Sequence, residues 1–232
     1  MDNLFGDLRF GSRRRTRATA CQAAAEYAGR WGWTVALGGA PRGRSGVVTR
    51  CDCARPHCAA PGLHQARGAE PVELPPGAAP HEVRALWSGT AQATVLLPAG
   101  RAFDVLDVPE TAGLRALVRL ERMGTQVGPV LTAPTGRLLF FVARGTAPLL
   151  PDLLYRMGWD DAALDLVCHG EGSYVAAPPT VLGSLGPVRW LRRPCRESAV
   201  RPPEARLLLG TLAYACHRGR DRAAAEPAWL AS

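Results

Sequence analysis

The stretch Ala93–Gly113, ATVLLPAGRAFDVLDVPETAG, constrains the fold of this chain more than any other. Thr94–Leu97 and Phe103–Val108 are short apolar runs bounded by Gly and Pro, the pattern of buried strands. The spacing predicts a strand, a tight turn at Pro98–Gly100, and a second strand that carries Asp107 near its end. Pro109 follows, and Glu110 and Thr111 stand where the first turn of a helix favours acidic and capping groups. Asp107 admits two readings. It caps the helix that follows, or it is a ligand group at the carboxyl end of a buried strand, where open sheets place such groups.

The rest of the chain supplies more short elements. Ala20, Ala23, Ala24, Tyr27 and Trp31 recur at helical spacing, which predicts a helix over 17–31 packed by one face. Strands are expected at 33–37 and 47–50, a Pro-rich connector at 68–80, and a helix at 80–88 with Val83, Leu86 and Trp87 inward. A helix over 110–123 is expected to bury Leu114, Leu117, Val118 and Met123, with Gly124 ending it. Strands at 127–131 and 137–142 flank a Pro134–Gly136 turn. A helix at 149–157, strands at 163–168, 173–177 and 188–191, and a helix at 203–216 complete the pattern. Strands and helices mix without strict alternation. The pattern gives α+β or mixed α/β, and the expected class is α+β, with mixed sheets flanked by helices.

At 232 residues with 47% hydrophobic and 21% charged residues, the composition is globular. No run approaches the length of apolar chain that spans a bilayer, and 18–27 is not the apolar core of a secretory signal. The expected location is cytoplasmic. The net charge of +8 is confined to the ends: residues 1–20 hold five Arg and two Asp, residues 184–232 nine Arg and four acidic residues, and the middle balances. A polyanion partner suits that excess, and so do solvated tails.

Three of the seven cysteines crowd into CDCARPHCAAPGLH. Cys51, Cys53, Cys58 and His64 can close a tetrahedral zinc site, with His57 as a competing ligand. The alternative is a reduced, metal-free loop; zinc is the expectation, because a loop this polar and Pro-rich otherwise has little to fold around. Closed ligation would make the zinc structural.

A second aspartate, Asp165, lies in ALDLVCHGEGSYVAAPPT, again in an apolar run before a Gly turn. Two strand aspartates can converge on a divalent cation, or simply cap turns. Taken in order, GWTVALGG, the Cys-rich PGLH segment, VLLPAG…FDVLDVPETAG, TAPTGRLLFFV and LDLVCHGEGSYVAAPPT resemble the bifunctional DNA primase/polymerase N-terminal (Prim-Pol) family of the archaeo-eukaryotic primase superfamily. The resemblance covers about residues 20–193, and its last motif is the most specific.

The resemblance implies a primase/polymerase-like core carrying a small Cys-rich zinc loop. It implies a D-x-D pair, a third Asp on a later strand, and a His in a Gly-Gly-x-His strand. Asp107 matches the first Asp and Asp165 the third. Pro109 stands at the second. The His strand reads Gly136-Arg137-Leu138-Leu139-Phe140 and lacks its His, and Leu63 replaces a common Lys. Positions 107 and 109 share a strand face, whereas Asp104 has the opposite parity.

The expected organisation is a basic N-terminus over 1–16, a primase/polymerase-like domain over 17–193 with its zinc loop at 51–64, and a C-terminal helix and tail over 194–232. The expected function is nucleotide or nucleic-acid binding at a degraded site, with nucleotidyl transfer weak or lost. One alternative is an active enzyme in which Asp107, Glu110 and Asp165 hold Mg²⁺ or Mn²⁺ and Arg137 contacts phosphate. The other is a zinc-stabilised partner-binding module. No P-loop occurs in the sequence, so a helicase or other replication partner would be a separate protein.

Overall fold

The computed structural model describes residues 20–39, 41–42, 50–51, 72–88, 93–159, 162–182 and 185–225. Among the described residues, six helices and two main antiparallel sheets give an α+β fold. Two compact units divide the chain: residues 1–98 with 172–190, and residues 99–171 with 191–232. No helix among the described residues is long and apolar enough to cross a membrane.

The first unit begins with α1 (20–29), whose Ala20, Ala24, Tyr27 and Ala28 are buried along one face. Its sheet runs β10-β5-β1-β4, from β1 (Val35–Leu37), β4 (Glu73–Leu74), β5 (Val95–Pro98) and β10 (Tyr174–Ala177). Central β5 is buried at every residue, as its unbroken apolar run requires. β2 (Pro41–Arg42) pairs with β3 (Arg50–Cys51). The helix α2 (Pro80–Ser88) buries Val83 and Trp87 as its spacing predicts. Tyr27 donates from its hydroxyl to the Pro178 carbonyl at 2.7 Å and accepts from Trp190 Nε1 at 3.1 Å, beneath its stack on Trp33. β4 lies in the expected Pro-rich connector, as two residues held between Val72 and Pro75.

The second unit holds the sheet β11-β7-β8-β6-β9. Its strands are β6 (Asp104–Pro109), β7 (Val130–Ala133), β8 (Arg137–Val142), β9 (Val167–His169) and the edge strand β11 (Arg189–Arg192), whose first two residues are the last of the other unit. The helices are α3 (Glu110–Arg122), α4 (Thr146–Arg156), α5 (Arg196–Val200) and α6 (Arg206–Ala225). The even-numbered residues Leu106, Val108, Leu138, Phe140 and Val142 form one core with Ala112, Ala116, Leu117 and Leu120 of α3 and Leu208, Leu209 and Leu212 of α6. The odd-numbered face of β6 and β8 is thereby turned away from these helices.

Several elements depart from their sequence expectations for identifiable reasons. α3 leaves Leu114, Val118 and Met123 exposed and buries Ala112, Gly113 and Ala116 instead. A Cβ on Gly113 would sit 2.8 Å from Leu138 Cβ, so the small residues set the helix close to the sheet. β7 starts three residues late because Pro129, lacking an N–H, offers only its carbonyl, which accepts from Phe141 N at 3.0 Å. The run 163–166 is not strand: Leu164 N bonds back to the Ala162 carbonyl at 2.7 Å, and β9 begins at Val167. α5 was not anticipated, and α6 extends to Ala225, beyond the expected end at 216.

Candidate functional site

β6 lies between β8 and β9, so its outward carboxylate has strand neighbours on both sides. Asp107 pairs with Leu139 on β8 and with Val167 on β9. Arg137 is opposite Pro109, and His169 is opposite Val105. Both are therefore diagonal neighbours of Asp107 on its own face, within reach of long side chains. Both take the opportunity. Arg137 Nε donates to Asp107 Oδ1 at 2.7 Å. His169 Nε2 lies 2.8 Å from Asp107 Oδ2 and donates when that nitrogen carries the proton.

Arg137 extends the network to the third expected residue. Its Nη1 donates to both Asp165 oxygens, at 2.7 and 2.8 Å. Its Nη2 donates to the Asp107 carbonyl at 3.3 Å. Asp165 stands in a bend just before β9, with its side chain 61% exposed against 16% for Asp107. Cys216 of α6 holds that bend from behind, its thiol facing the Asp165 carbonyl at 3.7 Å. Burial pushes this thiol up to about 11 and the Asp165 charge adds to the shift, so it stays protonated.

The charges settle accordingly. Burial would raise the Asp107 pKa, but the bonds from His169 and Arg137 outweigh it and hold the carboxyl below the usual range. Burial would likewise weaken the Arg137 cation. Its bonds to Asp107 and Asp165 reverse that, and its pKa is raised.

Glu110 takes a different position. It opens α3, and its backbone N–H donates to the Gly136 carbonyl at 2.8 Å, tying the β7–β8 turn to the helix start. Its carboxylate accepts from Thr132 Oγ1 at 3.1 Å. Asp107 does not cap α3: Pro109 holds the N-cap position, with no side-chain cap bond. Asp104 lies on the other face of β6 and is 1% exposed. Its Oδ2 accepts from Ala147 N at 2.8 Å, a cap reaching the first turn of α4 from a distant strand. Gly170 lets this helix come close, since a Cβ there would meet Ala147 Cβ at 2.5 Å.

The sequence reading singled out Asp107, Asp165, Arg137 and Glu110 but missed His169. The family resemblance points to the Gly136–Phe140 strand for an imidazole, and that strand has none. The available signal was the CHG that ends the next apolar run, with His169 on the same strand parity as the site residues. The chain matches the family model of the bifunctional DNA primase/polymerase N-terminal domain, Prim-Pol, over residues 24–205. It belongs to the Prim-Pol family. A search of curated proteins returned no significant match.

The family resemblance brings a divalent ion to the strand aspartates, and the donor set tests whether these residues suit one. Both Asp107 oxygens are taken, by Arg137 and His169, and both Asp165 oxygens accept from Arg137. A guanidinium lies between the carboxylates, and Pro109 contributes no oxygen. As arranged, the residues do not fit a divalent ion. Among the described residues, no group of three or more His, Cys, Asp and Glu side chains could hold a metal. Cys53, Cys58 and His64 of the expected zinc loop lie outside the described residues, and Cys51 is described only as part of β3.

Proposed function

We propose that this Prim-Pol domain binds the phosphates of a nucleotide or nucleic acid at Arg137, with nucleotidyl transfer weak or lost. The observation that carries the reading is the Arg137 fork, joined to a sheltered Asp107 on one side and an exposed Asp165 on the other. An ion pair open to water contributes little to stability. A phosphate oxygen can therefore exchange for Asp165 on Nη1 while Asp107 keeps Nε and the orientation of the fork. A planar guanidinium suits that exchange because it meets a phosphate with two parallel N–H donors.

Turnover asks for more than binding. Transfer of a nucleotidyl group develops charge on the attacking and leaving oxygens, which carboxylate-held metal ions answer in two-metal sites. Here Pro109 supplies no carboxylate, and Glu110 is engaged by Thr132. The loss of one such stabilising group costs roughly 10²–10³ in rate. Primer-extension and de novo priming assays with Mg²⁺ or Mn²⁺, beside direct nucleotide and DNA binding, test both halves of the proposal. Binding with turnover near background is expected. Robust extension abolished by Asp107→Ala would overturn the second half, and failure to bind nucleotide, DNA or RNA would overturn the first.

The proposal includes structural zinc at Cys51, Cys53, Cys58 and His64, expected as about one zinc per chain on metal analysis. It also takes the protein to act in the cytoplasm.

A further inference from the structure

We propose that Arg137 is a resident cation, whose guanidinium takes the position between Asp107 and Asp165 and makes the site refuse a divalent metal ion. The inference deepens the phosphate-site reading, but it concerns the side chains alone and can be tested without nucleotide.

Register comes first. Pro109 and Arg137 are directly opposed on β6 and β8. A carboxylate at 109 would meet position 137 across the ladder and claim its guanidinium. With proline there, Arg137 has no partner straight across and reaches diagonally to Asp107. The same fork continues to Asp165, so one side chain links the carboxylates that would otherwise repel each other.

Donor count comes second. Hard divalent ions bind through oxygen, and here carboxylate oxygens are the strongest donors. All four oxygens of Asp107 and Asp165 already accept a bond, three of them from Arg137 and one facing His169. A metal entering between them must displace the guanidinium from both partners while its own double charge is repelled by that cation.

Burial comes third. The Arg137 side chain is 23% exposed and Asp107 16%, so water screens their pairing only in part. Arginine remains charged at any working pH, so the cation is permanent. A lysine would be a weaker occupant, because a single ammonium cannot make the fork that spans both carboxylates.

The test is Mn²⁺ binding to the full chain, followed by electron paramagnetic resonance and calorimetry, for the wild type, Arg137→Ala, Arg137→Lys and Asp107→Asn. The wild type is expected to show no Mn²⁺ binding that depends on Asp107. Arg137→Ala frees both carboxylates and is expected to bind Mn²⁺ about tenfold or more tightly than the wild type, an increment that the double variant Arg137→Ala/Asp107→Asn loses. Arg137→Lys is expected to fall between. A wild-type Mn²⁺ site removed by Asp107→Asn would overturn the proposal. So would a folded Arg137→Ala variant that gains nothing. Should Arg137→Ala fail to fold by circular dichroism, the wild type, Arg137→Lys and Asp107→Asn still decide. A wild-type signal that depends on Asp107 refutes the proposal. No such signal in the wild type, with a gain in Arg137→Lys, supports it.

Discussion

Replacing Asp107 by Asn keeps the shape of the side chain and removes the charge on which Arg137 and His169 converge. The variant leaves a largely buried guanidinium with one exposed partner. A loss of about 1–3 kcal/mol is expected, or roughly 2–10 °C in Tm for a chain of this size, measured by thermal or urea unfolding. The direction of the Asp107 shift also fixes a pH window. Its folded pKa is depressed, so the stability it contributes is fully present above the ordinary unfolded value of about 3.9. That contribution is lost as pH falls through the lower folded value. Urea midpoints taken from about pH 5 downward should therefore fall more steeply for the wild type than for Asp107→Asn. Equal slopes would mean that the carboxyl is not paired in solution. Asp165 makes the opposite case: its exposed charge competes for Arg137 from the solvent side. Asp165→Asn should cost little stability, within about 0.5 kcal/mol, and should tighten phosphate binding. Nucleotide titration showing weaker binding in this variant would remove the exchange step.

At the scale of elements, glycines record how closely the pieces approach. Gly113 has Leu138 Cβ and Cδ2 at 2.8 and 2.9 Å from where a Cβ would stand. Gly113→Val should push α3 off the sheet and cost about 1–3 kcal/mol, read as a lower urea midpoint with unchanged slope. Gly100 combines a φ of 79° with the Glu171 backbone at 2.5 Å, so its turn requires glycine on two counts. This face of α3 also explains what sequence could tell. Strands β5, β6 and β8 and helix α2 were legible because each is a run whose apolar residues are the buried ones. α3 was legible as a helix but not in orientation, since weighting by hydrophobicity selects Leu114 and Val118 while packing selects Ala112, Gly113 and Ala116. The site divides the same way. Asp107 and Asp165 stood out as charged residues in apolar runs and Arg137 through the family resemblance, whereas the contact of His169 with Asp107 depends on the β6–β9 register, which only folding sets.

At the scale of the molecule, charge separates the general attraction of a polyanion from recognition at the site. The unit made of 1–98 and 172–190 carries 13 Arg and 7 acidic residues, a net of +6. The unit that holds Arg137 carries 15 Arg and 13 acidic residues, a net of +2. Counterion release makes nucleic-acid affinity fall with salt in proportion to the phosphates neutralised. Most of that slope should come from the widely distributed arginines and very little from one residue with two carboxylate partners. Arg137→Ala should then leave the log–log salt slope of DNA binding within about one unit of the wild type. The same variant should bind a mononucleotide triphosphate at least about tenfold more weakly, since losing a charge-assisted bond costs about 1.5–3 kcal/mol. Fluorescence anisotropy across a salt series, with calorimetry for the mononucleotide, reads both quantities on one preparation. Unchanged mononucleotide binding with a normal DNA slope would place the phosphate contact elsewhere on the chain. A slope that collapses with this single substitution would instead make Arg137 part of the main nucleic-acid track. The structure argues against that outcome, because its guanidinium is already shared between Asp107 and Asp165.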